Sequence, residues 1–263
     1  MFQFCSLYSG SSGNSLYIKS DETNILIDAG VSMRQIEKAL NDNESSLANI
    51  DAVLVTHEHS DHIKSVASIS RKYNIPIFAN EKTLDAIGKN LSEIPKDNIK
   101  TFSVSKKFDF KDMEIEPFSV PHDAYDPCGF NIYHDHSKIS IATDLGHVSE
   151  TIVKYLEKSS FLMLEANYDP EILKYGSYPY FLKNRISGPN GHLPNYIAGK
   201  TICSLIEKGL NSVLLGHLSK ENNFPELAYQ TVVDELIANH YKEDHISLNV
   251  ASRTTPGKLI DVC

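Results

Sequence analysis

At 263 residues with a formal net charge of −9, the chain suits one large domain or two small ones, and its overall charge disfavours non-specific nucleic-acid binding by the whole surface. Hydrophobic residues make up 41% and charged residues 22%, and apolar runs stop at about four residues, so no membrane span is expected. The start Met1-Phe2-Gln3-Phe4-Cys5 has neither a basic n-region nor an apolar h-region, and Cys5, Cys128, Cys203 and Cys263 show no C-x-x-C spacing; together these predict reduced thiols in a cytoplasmic protein.

Residues 2–7 are apolar and predict a strand, followed at 8–15 by a loop of small residues with turn chemistry. Residues 16–19 and 24–28 predict a hairpin turning at Asp21-Glu22. Ser32 caps a helix through Ile36 and Leu40, with Gln35 completing a capping box. A buried strand at 50–55 leads into a His-rich loop. Apolar residues at Ile63, Val66, Ala67 and Ile69 predict a helix over 61–73, followed by a strand at 75–79 and a helix at 82–89. The middle predicts antiparallel strands at 100–104, 108–110, 114–120, 129–133 and 138–143. A helix at 149–157, strand at 160–166, helix at 201–207, strand at 212–216, helix at 225–238 and strand at 246–250 complete the series. No low-complexity linker divides the chain, so one domain over 1–263 is expected. Each half carries short β-rich segments followed by a helix. Two β-rich runs flanked by helices imply an α/β protein with two mixed sheets and helices outside.

Chemistry concentrates in Thr56-His57-Glu58-His59-Ser60-Asp61-His62. Imidazole and carboxylate are ligands that zinc and its first-row neighbours prefer, and gathering them at the end of a buried strand is costly without a cation. Residues i and i+2 of an extended segment point the same way, so His57 and His59 can share one ion. Asp61 and His62 stand where the helix begins and can face a second. Two ions need further ligands. His122, Asp144 and His217 each follow a strand-like run and precede a break, where site residues of α/β sheets tend to lie. Singly, each reads equally well as a structural residue; their recurrence points to a site.

The T-H-E-H-S-D-H run, Pro121-His122, Thr143-Asp144, Gly216-His217 and the early Leu26-Ile27-Asp28-Ala29-Gly30 resemble the metallo-β-lactamase superfamily over nearly the whole chain. The resemblance implies an αββα sandwich, with one metal held by His57, His59 and His122, another by Asp61, His62 and His217, and Asp144 bridging them. The motifs at 9–15, 27–30, 191–193 (Gly-His-Leu) and 217–223 are similar to the YycJ/WalJ branch, which implies 5′-to-3′ DNA exonuclease activity. The chain departs from that branch at Pro194 and Tyr196, where Ser and Glu are more usual, and at Tyr168, where His is common.

Two divalent ions, zinc or manganese with iron also compatible, would sit about 3.5–4 Å apart and hold a hydroxide nucleophile between them. Asp61 is placed to orient it. His192, in a glycine-rich loop that reads as mobile, is the candidate electrophile or general acid near the leaving oxygen. Asp28 reads as a carboxylate that hydrogen-bonds the metal loop rather than as a ligand. Ser11, Ser12 and Asn14 can cradle a phosphate or simply form a turn, and Lys220 can contact a phosphate or stay solvated. Residues 172–208 hold five basic residues against one acidic. There Tyr175, Tyr178, Tyr180 and Phe181 interleave with Lys174, Lys183 and Arg185, which reads as a grip for single-stranded nucleic acid or as an aromatic edge of the core. DNA is the favoured partner. An RNA or small cyclic-phosphodiester hydrolase and a metal-stabilised regulatory module are the alternatives, and the oligomeric state is open.

Overall fold

The computed structural model describes residues 1–262; Cys263, one of the four thiols, lies outside the described residues. The first sheet contains β1 (Gln3–Tyr8), β2 (Ser15–Lys19), β3 (Asn24–Ile27), β4 (Ala52–Leu54), β5 (Ile77–Ala79), β6 (Ile99–Thr101) and the last strand, β14 (Ile260–Asp261). The second contains β7 (Phe108–Phe110), β8 (Met113–Ser119), β9 (Cys128–His134), β10 (Ser137–Ala142), β11 (Phe161–Glu165), β12 (Ser212–Gly216) and β13 (Ser247–Val250). Spatial order is β14-β1-β2-β3-β4-β5-β6 in one and β13-β12-β11-β10-β9-β8-β7 in the other. Each half of the chain runs an antiparallel meander and then parallel strands: β1 to β3 then β4 to β6, and β7 to β10 then β11 to β13.

Helices α1 (Met33–Asn41), α2 (Ser60–Ile63), α3 (Val66–Tyr73) and α4 (Glu81–Ile87) belong to the first half. The second half carries α5 (Glu150–Leu156), α6 (Pro170–Tyr175), α7 (Tyr180–Ser187), α8 (Asn195–Ile206) and α9 (Pro225–Ala238). One apolar cluster joins the two sheets, with Phe4, Ile18 and Ile27 of one against Phe130, Ile141 and Phe161 of the other. A second packs α1, α3 and α4 on the outside of the first sheet, and a third packs α5, α8 and α9 on the outside of the second. The layers are therefore αββα, as expected. Central strands are buried on both faces, which is why β11 reads Phe-Leu-Met-Leu-Glu with no polar alternation and every residue buried. Among the described residues no helix is long and apolar enough to cross a membrane, and Cys5, Cys128 and Cys203 are unpaired and buried.

The Ser32–Gln35 capping box forms, with Gln35 N–H donating to Ser32 Oγ at 3.3 Å and Ser32 N–H to Gln35 Oε1 at 3.2 Å. Four expectations need correction. The segment at 100–104 is not part of the antiparallel meander; β6 pairs in parallel with β5, Ile77 opposite Ile99. The helix at 61–73 is two helices, because Ser65 N–H turns aside to donate to Ala29 O at 2.8 Å. That crossing depends on Gly30, whose Cβ would fall 1.5 Å from Asp61 O. The helix expected at 201–207 starts at Asn195. Helices α6 and α7 were not anticipated, although Asp169 caps α6 and Pro170 and Pro179 stand at the two helix starts.

Candidate metal centre

The site lies where strands of both sheets end. Asp28 follows β3, Asp144 follows β10 and His217 follows β12, and all three adopt left-handed backbone, with φ of 62°, 55° and 54°. That conformation ends the ladder and turns the side chain off the strand; it is strained for non-glycine residues, Asp and His tolerating it better than most. Parallel pairing of β3 with β4 sets Asp28 beside Thr56, at the entrance to the His-rich loop. Parallel pairing of β10, β11 and β12 sets Asp144, Glu165 and His217 side by side.

The seven residues expected as ligands come together around Asp144. Its Oδ2 lies 3.3 Å from His62 Nε2 and 3.3 Å from His217 Nδ1, while its Oδ1 lies 3.6 Å from His122 Nε2. Asp61 Oδ2 is 3.5 Å from His62 Nε2. His57, His59 and His122 form one group with ligand atoms within 4.8 Å of one another, and His57, His62 and Asp144 form another. His57 Nε2, Asp144 Oδ2 and His217 Nδ1 are buried and, among the described residues, have no hydrogen-bond partner. Orphaned buried lone pairs are expensive, and converging ones call for a cation. The residues present thus fit divalent metal.

The electrostatics agree. Burial pushes His57, His59 and His217 below the usual imidazole value, which keeps their ring nitrogens available as ligands. Burial opposes charge on His62 as well, but Asp144 and Asp28 outweigh it and push that imidazole well up: the carboxylates draw a positive charge to this point. Burial likewise disfavours the Asp144 and Asp61 carboxylates. His217 and His62 override it at Asp144, and the hydrogen bond and charge of His62 override it at Asp61; both stay below the usual carboxylate range.

Hydrogen bonds fix the ring tautomers. Asp28 Oδ2 accepts from His62 Nδ1 at 2.7 Å and from Thr56 Oγ1 at 2.8 Å. With its proton committed to Asp28, Thr56 Oγ1 accepts from His57 Nδ1 at 2.9 Å. His122 Nδ1 donates to Gly191 O at 3.0 Å. Each bond leaves the Nε2 lone pair of its ring aimed at the cluster. Asp28 thus hydrogen-bonds Thr56 and His62, at the two ends of the His-rich loop.

His192 meets a partner that the sequence reading missed. Its Nδ1 lies 2.7 Å from Oε1 of Glu165, a wholly buried carboxylate whose Oε2 accepts Leu145 N–H at 2.6 Å. Burial disfavours the imidazolium, but Glu165 outweighs it and pushes His192 up to about 9. The loop carrying His192 is also more tightly held than its glycines suggest. Gly191 N–H donates to Gly188 O and His192 N–H to Ile186 O, both at 2.9 Å, and a Cβ on Gly191 would fall 2.2 Å from the carbonyls of Arg185 and Ile186.

The expected substrate residues divide. Ser11 and Ser12 are exposed and line a cleft of about 750 Å³ with Asp61, Lys64 and Ile87. Asn14 is buried and braces the centre: its Oδ1 accepts Gly10 N–H at 2.9 Å and its Nδ2 lies 3.0 Å from His62 Nε2. Lys183 Nζ donates to Lys174 O at 2.7 Å, Arg185 is bound to Asp123, and Lys220 is an exposed lysine 3.8 Å from Glu221. Tyr175, Tyr180 and Phe181 are 75%, 78% and 73% exposed and form a surface ledge on α6 and α7. Tyr178 instead packs under it against Leu173 and Ile186, beside the buried Tyr168.

Residues 23–201 match the Beta-lactamase superfamily domain. The chain is 39% identical over 237 residues to Exodeoxyribonuclease WalJ of Streptococcus pneumoniae, covering 89% of this chain and 88% of that protein. It is 38% identical over 229 residues to Exodeoxyribonuclease YycJ of Bacillus anthracis, covering 87% of each. Zn(2+)-bound PqqB from Methylobacterium extorquens shares the fold, with a TM-score of 0.71 at 16% identity over 98% of this chain and 99% of that one. The chain belongs to the β-lactamase superfamily.

Proposed function

We propose that this member of the β-lactamase superfamily is a dinuclear metal-dependent exodeoxyribonuclease that hydrolyses phosphodiesters from a DNA end in the 5′-to-3′ direction. The observation that carries the reading is the division of candidate ligands across the two oxygens of Asp144, with His122 on one side and His62 and His217 on the other. His57, His59 and His122 would hold one ion and Asp61, His62 and His217 the other, with the Asp144 carboxylate shared between the two groups. The nitrogen-rich donor set suits zinc, with manganese the second choice. The relatives named exodeoxyribonuclease, matched along almost the whole chain, support the substrate.

Divalent ions held there would supply acidification of an attacking water and compensation of negative charge on the phosphate. The chain's own residues supply the rest. Asp61, 26% exposed, reaches from the buried cluster into the cleft, where its carboxylate orients the water. His192 holds its Nδ1 proton against Glu165, so its Nε2–H is free to protonate the leaving oxygen. The ledge of Tyr175, Tyr180 and Phe181 stacks bases of a single strand.

The test is cleavage of 5′- and 3′-end-labelled DNA, RNA and a cyclic dinucleotide across a zinc and manganese series, with Asp61→Ala beside the wild type. Loss of nucleotides from the 5′ end of DNA, abolished in the variant, is expected. Undiminished activity in Asp61→Ala refutes the mechanism. Faster cleavage of RNA or of the cyclic dinucleotide refutes the substrate. No cleavage at all, with His57→Ala lowering only stability, makes the protein a metal-stabilised module.

A further inference from the structure

Arg253 carries a charge that the fold leaves unused. It lies in the segment joining β13 to β14, which is fastened at both ends: Ala251 N–H donates to Leu215 O at 2.7 Å and Gly257 N–H to Ser6 O at 2.9 Å. Its aliphatic stem lies over Gly10, where a Cβ would fall 2.8 Å from Arg253 Cγ and 3.0 Å from Cδ. Gly10 stands in the innermost layer around the candidate metal centre. Its neighbour Ser9 accepts His217 N–H at 2.8 Å, and Asn14, which accepts Gly10 N–H at 2.9 Å, reaches His62 Nε2 at 3.0 Å. On the other side of Gly10 stand the exposed Ser11 and Ser12.

Arg253 is half-buried, and among the described residues its guanidinium has no hydrogen-bond, ion-pair or ring partner. The other arginine proposed for substrate, Arg185, is already bound to Asp123. A half-buried guanidinium offers five donors in a planar fork, and a phosphate diester is the acceptor whose shape and charge match that fork. Packing of the stem alone would explain the contact with Gly10 but not a fork without an acceptor beside a phosphate-processing centre.

We propose that Arg253 clamps a backbone phosphate of the bound strand, next to the scissile one, on the side of the centre formed by the Gly10–Ser12 loop. The role rests on the nuclease reading given above. It makes the segment between β13 and β14 part of the substrate track, and it accounts for a glycine at position 10, where any side chain would displace the arginine.

The experiment compares wild type, Arg253→Gln and Arg253→Lys in the metal-loaded protein. Binding of a fluorescein-labelled, phosphorothioate-linked single strand is followed by anisotropy across a potassium chloride series. Hydrolysis of DNA and of bis(p-nitrophenyl) phosphate, which is too short to span the metals and Arg253 together, is measured in parallel. Arg253→Gln is expected to raise Kd and KM for DNA about tenfold, the loss of one charge-assisted pair, and to lower the slope of log Kd against log salt by about 0.7, one single-strand phosphate. The loss on DNA should exceed any loss on the small ester about tenfold, and Arg253→Lys should recover the salt slope. An unchanged salt slope in Arg253→Gln, or equal losses on DNA and on the small ester, overturns the clamp. Wild-type protein that hydrolyses the small ester but not DNA overturns the nuclease reading instead, and the binding slope still judges Arg253.

Discussion

Asp28→Asn tests the architecture of the centre more sharply than removal of a ligand. Asp28 Oδ1 accepts Thr56 N–H at 2.9 Å, and Oδ2 accepts both Thr56 Oγ–H at 2.8 Å and His62 Nδ1–H at 2.7 Å. Through Thr56 the same carboxylate sets the proton on His57 Nδ1. Asparagine has the same shape but only one acceptor. If its oxygen keeps Thr56 N–H, its NH₂ faces two donors, and the cheapest relief is to move the His62 proton to Nε2. That nitrogen then points an N–H at Asp144 Oδ2, 3.3 Å away, where a lone pair is needed. Losing an outer partner of a metal-bound imidazole typically lowers affinity by about 10–100-fold, or roughly 1.4–2.8 kcal/mol, and the reversed tautomer puts Asp28→Asn at the upper end. Asp28→Ala removes the same bonds without imposing a wrong donor, so it should bind zinc more tightly than Asp28→Asn. It should also be the less stable of the two, because φ of 62° is strained for alanine. The assay is chelator competition for zinc with stoichiometry by elemental analysis, beside thermal unfolding of each variant. Two ions bound by Asp28→Asn at wild-type affinity would refute the tautomer argument.

Glu165→Gln should move the alkaline limb of the pH–rate profile. Glu165 contributes most to holding His192 up at about 9 against the opposing effect of burial; without it only the weaker pull of Asp144 and Asp123 is left to oppose burial, so the imidazole falls and the acid form is lost at lower pH as pH rises. An unmoved limb removes His192 from the role of acid. Replacing Tyr180 and Phe181 together by alanine should raise KM for single-stranded DNA by about 1–3 kcal/mol per lost stack, with kcat nearly unchanged; equal KM in variant and wild type sinks the ledge. Zinc at 100 times its Kd should add about 2.7 kcal/mol of unfolding free energy per site, against protein stripped by chelator. Coincident unfolding curves with and without zinc would mean that the cluster holds no ion.

What was legible followed from local signals. His57 to His62 lie in one short loop after a buried strand, and His122, Asp144 and His217 each close an apolar run, so type and position alone bring them forward. Glu165 also closes an apolar run, yet it passes as the polar end of a strand. Only the parallel pairing of β11 between β10 and β12 makes it a neighbour of Asp144 and His217. Charge is misread for the same reason. Within 172–208, Arg185 is bound by Asp123 and Lys208 lies 2.8 Å from Glu157, so carboxylates distant in sequence cancel part of the basic excess. Arg253 fails in the opposite sense. Nothing in Ser252-Arg253-Thr254 suggests a site, and its interest comes from the fold, which lays its stem over Gly10 and, among the described residues, gives its half-buried guanidinium no partner.

The left-handed turns at Asp28, Asp144 and His217 explain why the site residues gather at strand ends. A strand that simply frays sends its last side chains alternately to the two faces, into one core or the other. A left-handed residue breaks that alternation and directs its side chain across the top of the sheet. Here one such turn ends a strand of the first sheet and two end strands of the second, so the side chains converge in the seam between layers. The strain is of order 1–3 kcal/mol per residue and is tolerated because each turn is anchored in a ladder of strands buried at every residue but the first. Buried, partnerless ligand atoms add to that strain. A cation relieves the second term and not the first, so the sheets rather than the metal must hold the geometry. The αββα core is thus the part of the site that sets Asp28, Asp144 and His217 in place before any ion arrives.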